Sequence, residues 1–574
     1  MELPDALPNR DLMVTLQAAA EKAHRWSDIS EALRRRESST GDLQAGWLMT
    51  AFDYVLTHSL MGASGRPGRG AFTEANSLNG DCYPMPLARV PNEVRALWSE
   101  TALATDSPLC LARLHHLLFE MREGNVGLHA RAAISEYFKL GTGEFDRLDR
   151  VLFLYWAREL SRRIKAHDDA KQVIKPLFRI AEDSLAQETP EPGVALPALQ
   201  IVAEEDPGNA ALPDLLCQAR QTYDQPWLVE RVIAIQEVVA QGDTDRKQQL
   251  RRELVQHAYD FAEGHEGMLR MVHMEHAARL ARDKGFPDLL LKATSAMQAM
   301  TLDDLDLQKH AFTVPFPKEA ADAYIASLVG RASLADALTT LTKNEPPTGD
   351  KDKNTAQAEH LKSVAVLGSL IPKVHLGDDA LPRVKAVTDE DKEDERLAEV
   401  EEWRLIIGAE VTAQILSALL DQFYPTLEEL SQILQSRPHV PPHAAQTISK
   451  ALHAFGSEHF DEAAALAMPK IETLVRARLS MTGDLQYRIQ KQQTPGQYPT
   501  LGSLLSDLRP KIDPSWHRFL RTFFVSRFGR NYRNELLHGF VAEVTRKDAA
   551  LVLLGALYLA LAPLDGFSTG DPEA

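Results

Sequence analysis

The chain has 574 residues, of which 44% are hydrophobic and 25% charged, with three cysteines and a formal net charge of -18. Such a length exceeds what one core organises, so roughly two to four domains are expected, and the composition excludes a wholly disordered protein. The acidic balance excludes a chain that coats nucleic acid non-specifically, and Cys82, Cys110 and Cys217 lie too far apart for a zinc or redox pattern, which leaves them as small buried side chains in a reducing cytoplasm.

Residues 1–17 carry acids and a proline where a secretory leader would need a basic flank and an apolar run, so none is expected. Apolar residues at three- and four-residue steps predict helices over 43–60, 88–123 and 148–164, with the glycine- and proline-rich stretch 62–91 as a loop. Its glycine-rich 65–70 lacks the preceding strand and the Lys-Ser/Thr pair of a phosphate cradle, and reads as surface loop. From 196 to 300 short helices arrive in pairs, broken at Pro207-Gly208, Gln225-Pro226, Gly242 and Gly285-Phe286-Pro287, as in an irregular α-solenoid. The stretch 343–355, containing Pro346-Pro347, has linker composition. The acidic stretch 389–402 reads as a solvated helix start, with restraint of a neighbouring basic site as the other reading.

Helices are then predicted over 405–423, 426–435, 444–455 and 458–481, the last interrupted at Pro469. His439 and His443 flank Pro441-Pro442 and read as a surface turn, because no third or fourth metal ligand is near. Asp513-Pro514 starts a helix that Gly529 is suited to stop, Asn531 caps the next, and Thr545 to Asp548 form a variant capping box for a last helix that Pro563 closes. The apolar run 549–564 falls short of the roughly 20 residues that span a bilayer and reads as a buried helix. The expected fold is therefore all-α. An N-terminal helical region of one or two subdomains (1–343), a linker-containing segment (344–402) and a C-terminal helical domain (403–566) are expected, in a cytoplasmic protein with no membrane contact.

Function concentrates in Arg533-Asn534-Glu535-Leu536-Leu537-His538-Gly539. Arginine holds phosphate through paired charge-assisted hydrogen bonds, and histidine passes protons near neutrality, a combination suited to phosphodiester cleavage. A helix N-terminus would add unpaired N–H groups for a phosphate beside Arg533 and Asn534. Around that helix Asn534 and His538 share a face, with Arg530 one turn earlier, while Arg533 and His538 diverge by about 140°. A closed site thus calls for two copies about a twofold axis, hence a homodimer. The bases Lys511, Arg518, Arg521, Arg527, Arg530, Arg533, Arg546 and Lys547 outnumber the acids between 510 and 547, a local basic site on an acidic body. A purely structural use of the heptad remains open, with Arg533 paired to a carboxylate and His538 capping a turn before Gly539.

The heptad resembles the RNxxxHG signature of a domain of unknown function found in bacterial proteins and in the eukaryotic ER-membrane-associated RNA degradation protein, a branch of the HEPN superfamily. Residues 469–476, with Glu472 and Arg476 four apart, are similar to that family's first core helix, and 500–505 to its connecting segment, so the resemblance covers about 458–564. It implies a four- or five-helix bundle that dimerises with the motif helices facing. It also implies metal-independent RNA cleavage in which the 2′-hydroxyl attacks the adjacent phosphate. On that basis His538 is general acid or base, Arg533 holds the phosphate, Asn534 orients one of these groups, and Glu472 and Arg476 either support them or form a structural ion pair. Phe540 stands where members silenced by a partner nucleotidyltransferase carry tyrosine, which argues against control by nucleotide attachment there. The resemblance suggests a toxin or antiviral effector released by a trigger or protein partner at the N-terminal region, with no cofactor or metal. Two alternatives stay open: a module that grips RNA or a nucleotide without cutting it, and a helical scaffold whose C-terminal bundle only dimerises.

Overall fold

The computed structural model describes residues 4–56, 72–73, 76–78, 81–308, 318–364, 373–377, 379–484, 487–490 and 496–563. The chain is all-α, with three tiny two-stranded antiparallel sheets among the described residues. It forms two compact units, Met1–Met297 and Gln298–Ala574.

In the first unit, helices begin where a side chain can accept the free amides of the first turn: Asn9, Asp42, Ser107, Asn125 and Asp243 each do so. The expected 88–123 helix is two, Asn92–Ala104 and Pro108–Glu120, because Ser107-Pro108 supplies a new cap and first position. From Pro192 the helices Pro192–Glu205, Leu212–Thr222, Pro226–Val239, Thr244–Glu263, Gly267–Lys284 and Pro287–Gln298 are divided at the expected breaks and at one more, 264–266, and as far as Gly267–Lys284 successive helices pack on one another. A fully buried Arg113 closes the Leu43–Asp53 helix, donating to the carbonyls of Ala51 (2.8 Å), Phe52 (3.3 Å) and Tyr54. Its guanidinium lies 4.8 Å from the Trp26 ring and 4.6 Å from that of Phe72, so the aromatic faces offset part of its desolvation. Cys110 is buried as expected, whereas Cys82 and Cys217 are exposed. The 65–70 segment lies outside the described residues.

The second unit is a helical bundle around Arg546–Leu561, whose every residue from Ala549 onward is buried. Asp389–Phe423, Pro442–Gly456 and Phe460–Met481 pack on it. Its C-terminal carbonyls would be orphaned in the core; Arg478, itself wholly buried, donates to Leu559 (2.6 Å), Tyr558 (3.2 Å) and Ala562, and the last-turn dipole favours that cation. His439 donates to the same Leu559 carbonyl at 3.0 Å and is buried, which corrects its reading as a surface turn. Pro469 does not interrupt Phe460–Met481; it lies on the exposed side, where water can satisfy the carbonyl it leaves unbonded.

The 343–355 stretch is not a linker. Pro346 and Thr348 are buried, Trp516 donates to the Asn344 carbonyl (2.9 Å), and Ser515 accepts from the Lys351 amide (3.0 Å). Pro347 lies where a Cβ on Gly408 would sit, so this contact needs glycine. Asp389–Phe423 is the one helix among the described residues long and apolar enough by composition to cross a membrane. Eleven of its residues, Leu405 and Leu419 among them, are buried in the bundle.

Candidate functional site

The motif helix, Tyr532–Leu537, is six residues long. Tyr532 fixes it to the core, its ring stacked on Phe523 at 5.1 Å and 17°. The preceding helix, Pro514–Phe524, ends five residues before Gly529, which therefore is not its stop. Gly529 instead packs against the Thr522 carbonyl, where an added Cβ would collide, and this closeness lets the Arg530 amide reach that carbonyl at 3.1 Å.

Asn531 occupies the cap position in the left-handed region (φ 48°), but its side chain accepts from Asn534 Nδ2 at 2.8 Å rather than from the backbone. The Asn534 amide is already bonded to the Asn531 carbonyl at 2.9 Å, so the helix start offers a phosphate fewer donors than the sequence implies. At the other end Gly539 (φ 76°) follows His538. Its amide bonds the Leu536 carbonyl (3.2 Å) while the Phe540 amide reaches back to Glu535 (2.9 Å), the paired bonds of a glycine-terminated helix.

Arg533, Asn534, Glu472 and Arg476 form one cluster. Arg533 Nη1 donates to Asn534 Oδ1 at 2.9 Å, and its Nη2 lies 3.7 Å from Glu472 Oε2. Arg476 Nη1 donates to the other Glu472 oxygen at 3.0 Å. Glu472 thus sits between two guanidinium groups, and all four side chains are only half-buried, open to a ligand. His538 is exposed at the C-terminal end of the motif helix, its ring 6.3 Å from that of Phe540. No hydrogen bond or ion pair among the described residues joins that ring to Arg533 or Asn534. Arg383, from a hairpin pairing His375–Leu376 with Pro382–Val384, brackets the same turn: its guanidinium lies 4.8 Å from the Phe540 ring and 3.8 Å from Glu535.

The expected basic site is mostly consumed internally by the acids of Asp389–Phe423. Arg518 makes a two-pronged pair with Glu401 (2.8 and 2.7 Å) and a third bond to Asp394 (2.7 Å), and Thr522 donates to Glu401 at 2.5 Å. Arg521 binds Asp394 at 2.7 Å, and Arg527 pairs with Asp391. Arg530, a sequence candidate for the site, spans Glu402 and Asp548 at 3.1 Å each and joins three segments of the bundle instead. Lys547 pairs with Glu410 at 3.1 Å, and Lys511 with Asp484. The acidic stretch is therefore not simply a solvated helix start. Burial pushes the Glu402 carboxyl above its ordinary range despite Arg530, and one of its oxygens has no partner.

Sequence reasoning named Arg533, Asn534, Glu472 and Arg476, which come together, and His538 and Gly539, which end the same helix. It missed Arg383, a lone arginine far upstream with no local signal. Chemically, Arg533, only loosely held by Glu472 and half-exposed, can turn its guanidinium to an anion, and an imidazole stands at the neighbouring helix end. Comparison with models of known families, with curated proteins and with solved structures finds no match.

Proposed function

We propose that the C-terminal unit is a metal-independent endoribonuclease acting as a homodimer. Arg533, steadied by Asn534 and Glu472, holds the scissile phosphate and the charge that builds on it. His538 moves the proton between the 2′-hydroxyl and the leaving oxygen. The observation that carries this reading is the Arg533–Asn534–Glu472–Arg476 cluster, open on the same short helix that ends in an exposed histidine. Because His538 makes no bond to Arg533 within one chain, the partner copy completes the site, each supplying a histidine to the other's arginine. With most neighbouring bases already paired to acids, affinity for RNA rests on few phosphate contacts, which fits a selective effector of the toxin or antiviral kind more than a general degrader.

The test is incubation of purified protein with total RNA in EDTA. The expected products end in 2′,3′-cyclic phosphate and vanish in both Arg533→Ala and His538→Ala. The separation of His538 from Arg533 also favours a second reading, a module that binds RNA without cutting; there His538→Ala keeps affinity, Arg533→Ala loses it, and no fragments form.

A further inference from the structure

Beside the cluster lies a pair of exposed aromatic side chains that the proposed chemistry does not use. After Phe460–Met481 the chain returns on itself, and Arg488 and Gln497 exchange both backbone hydrogen bonds, at 2.9 and 3.0 Å. That register sets Tyr487 opposite Tyr498, with ring centroids 5.6 Å apart at 73°. A Cβ on Gly496 would overlap the Tyr487 hydroxyl, so glycine there makes room for that ring. Both rings remain more than half exposed, at 55% and 54%.

The rings continue directly into the site. The Arg476 guanidinium lies 5.1 Å from the Tyr498 ring centroid and, through Glu472, is linked to Arg533. Tyr487, Tyr498, Arg476, Glu472 and Arg533 thus make an unbroken strip. Two hydrated aromatic faces beside guanidinium groups are what single-stranded nucleic acid stacks upon, because every unpaired base offers a π-face and every linkage a phosphate. A duplex keeps its bases stacked inside and has no free face to give. We propose that Tyr487 and Tyr498 form a stacking platform for unpaired nucleobases of an RNA whose phosphate rests at Arg533, so that the site selects single strands. This rests on the RNA-cleaving reading for its ligand, but not on cleavage itself.

The experiment measures binding of a fluorescent oligoribonucleotide of about a dozen residues, unpaired or in a duplex, to the full chain carrying His538→Ala. Expected is tight binding of the single strand over the duplex, with a loss of roughly 10- to 100-fold when Tyr487→Ala and Tyr498→Ala are combined. Phenylalanine at both positions should restore affinity, since stacking needs the ring and not the hydroxyl. Unchanged affinity in the double alanine variant overturns the platform, as does a change in oligomeric state without a change in single-strand affinity, which would make the tyrosines a contact between copies. If RNA is cut but tyrosine variants cut equally well, the platform falls and the nuclease stands. If binding depends on the tyrosines but nothing is cut, the platform stands and the nuclease falls. If no RNA binds at all, both fall.

Discussion

Replacing Arg518 by methionine removes a cation from a site where its partner cannot reach water. Glu401 is 0% exposed, and three of its hydrogen bonds come from Arg518 and Thr522. In Arg518→Met the carboxylate keeps Thr522 alone, and stranding a buried charge costs about 3–5 kcal/mol. Leucine at 401 then removes the stranded charge, so the Arg518→Met/Glu401→Leu pair should regain most of that loss, with a coupling of about 2 kcal/mol or more. Asp394 moderates the effect little, since it retains Arg521 at 2.7 Å. Amide hydrogen exchange within Pro514–Phe524, followed in denaturant, reads the opening of this unit alone. A single variant that costs under about 1 kcal/mol, or two losses that simply add, would refute the claim that these bases are held as buried struts and would return Arg518 to the pool of phosphate ligands.

Two further predictions concern pH. The folded Glu402 holds its proton to higher pH than the unfolded chain does, because burial raises it. Stability is therefore lost as pH rises from the ordinary carboxylate range through the folded value, so Glu402→Gln should raise the urea midpoint at pH 7 and leave it unchanged near pH 3. His517 behaves oppositely: buried and bonded to the Leu505 carbonyl at 3.0 Å, it is pushed down to about 4 by desolvation. The unfolded chain takes up that proton first, so stability is full above the ordinary histidine range and falls between about pH 6.5 and 4, by on the order of 3 kcal/mol. His517→Gln should flatten that decline in pH-dependent denaturation curves; an unchanged slope would place the cause elsewhere.

Helices were legible wherever their signal is local. Thr426, Asp513 and Thr545 accept amides from their own first turns, and the breaks between 205 and 287 follow glycine and proline. What failed depends on distant partners. Pro346-Pro347 has linker composition, but Gly408 leaves a hollow for it and Trp516 a donor, neither of which the local sequence reveals. The run of arginines looked like an open basic surface because a sequence gives charges without their partners, and the acids that hold them lie over a hundred residues upstream. His439 looked exposed beside two prolines, yet it shares with Arg478 the work of closing the last helix.

Within the heptad, folding accounts for some residue types and leaves others unexplained. Gly539 is required by its positive φ, Asn531 bonds Asn534, and Glu535 faces Arg383. A helix stop of this form needs its glycine but places no demand on the residue before it, so any exposed polar side chain would serve at 538. Arg533 is likewise more than the fold requires: Glu472 already has Arg476 at 3.0 Å, and the 3.7 Å approach of Arg533 adds little to a half-exposed pair. Side chains that are costly to order and unneeded for packing mark the place where binding or chemistry repays them. By that reasoning Arg533→Lys and His538→Gln should leave the fold's denaturation midpoint within about 0.5 kcal/mol of the parent while abolishing RNA cleavage. A clear loss of stability in either would move that residue from chemistry to scaffold.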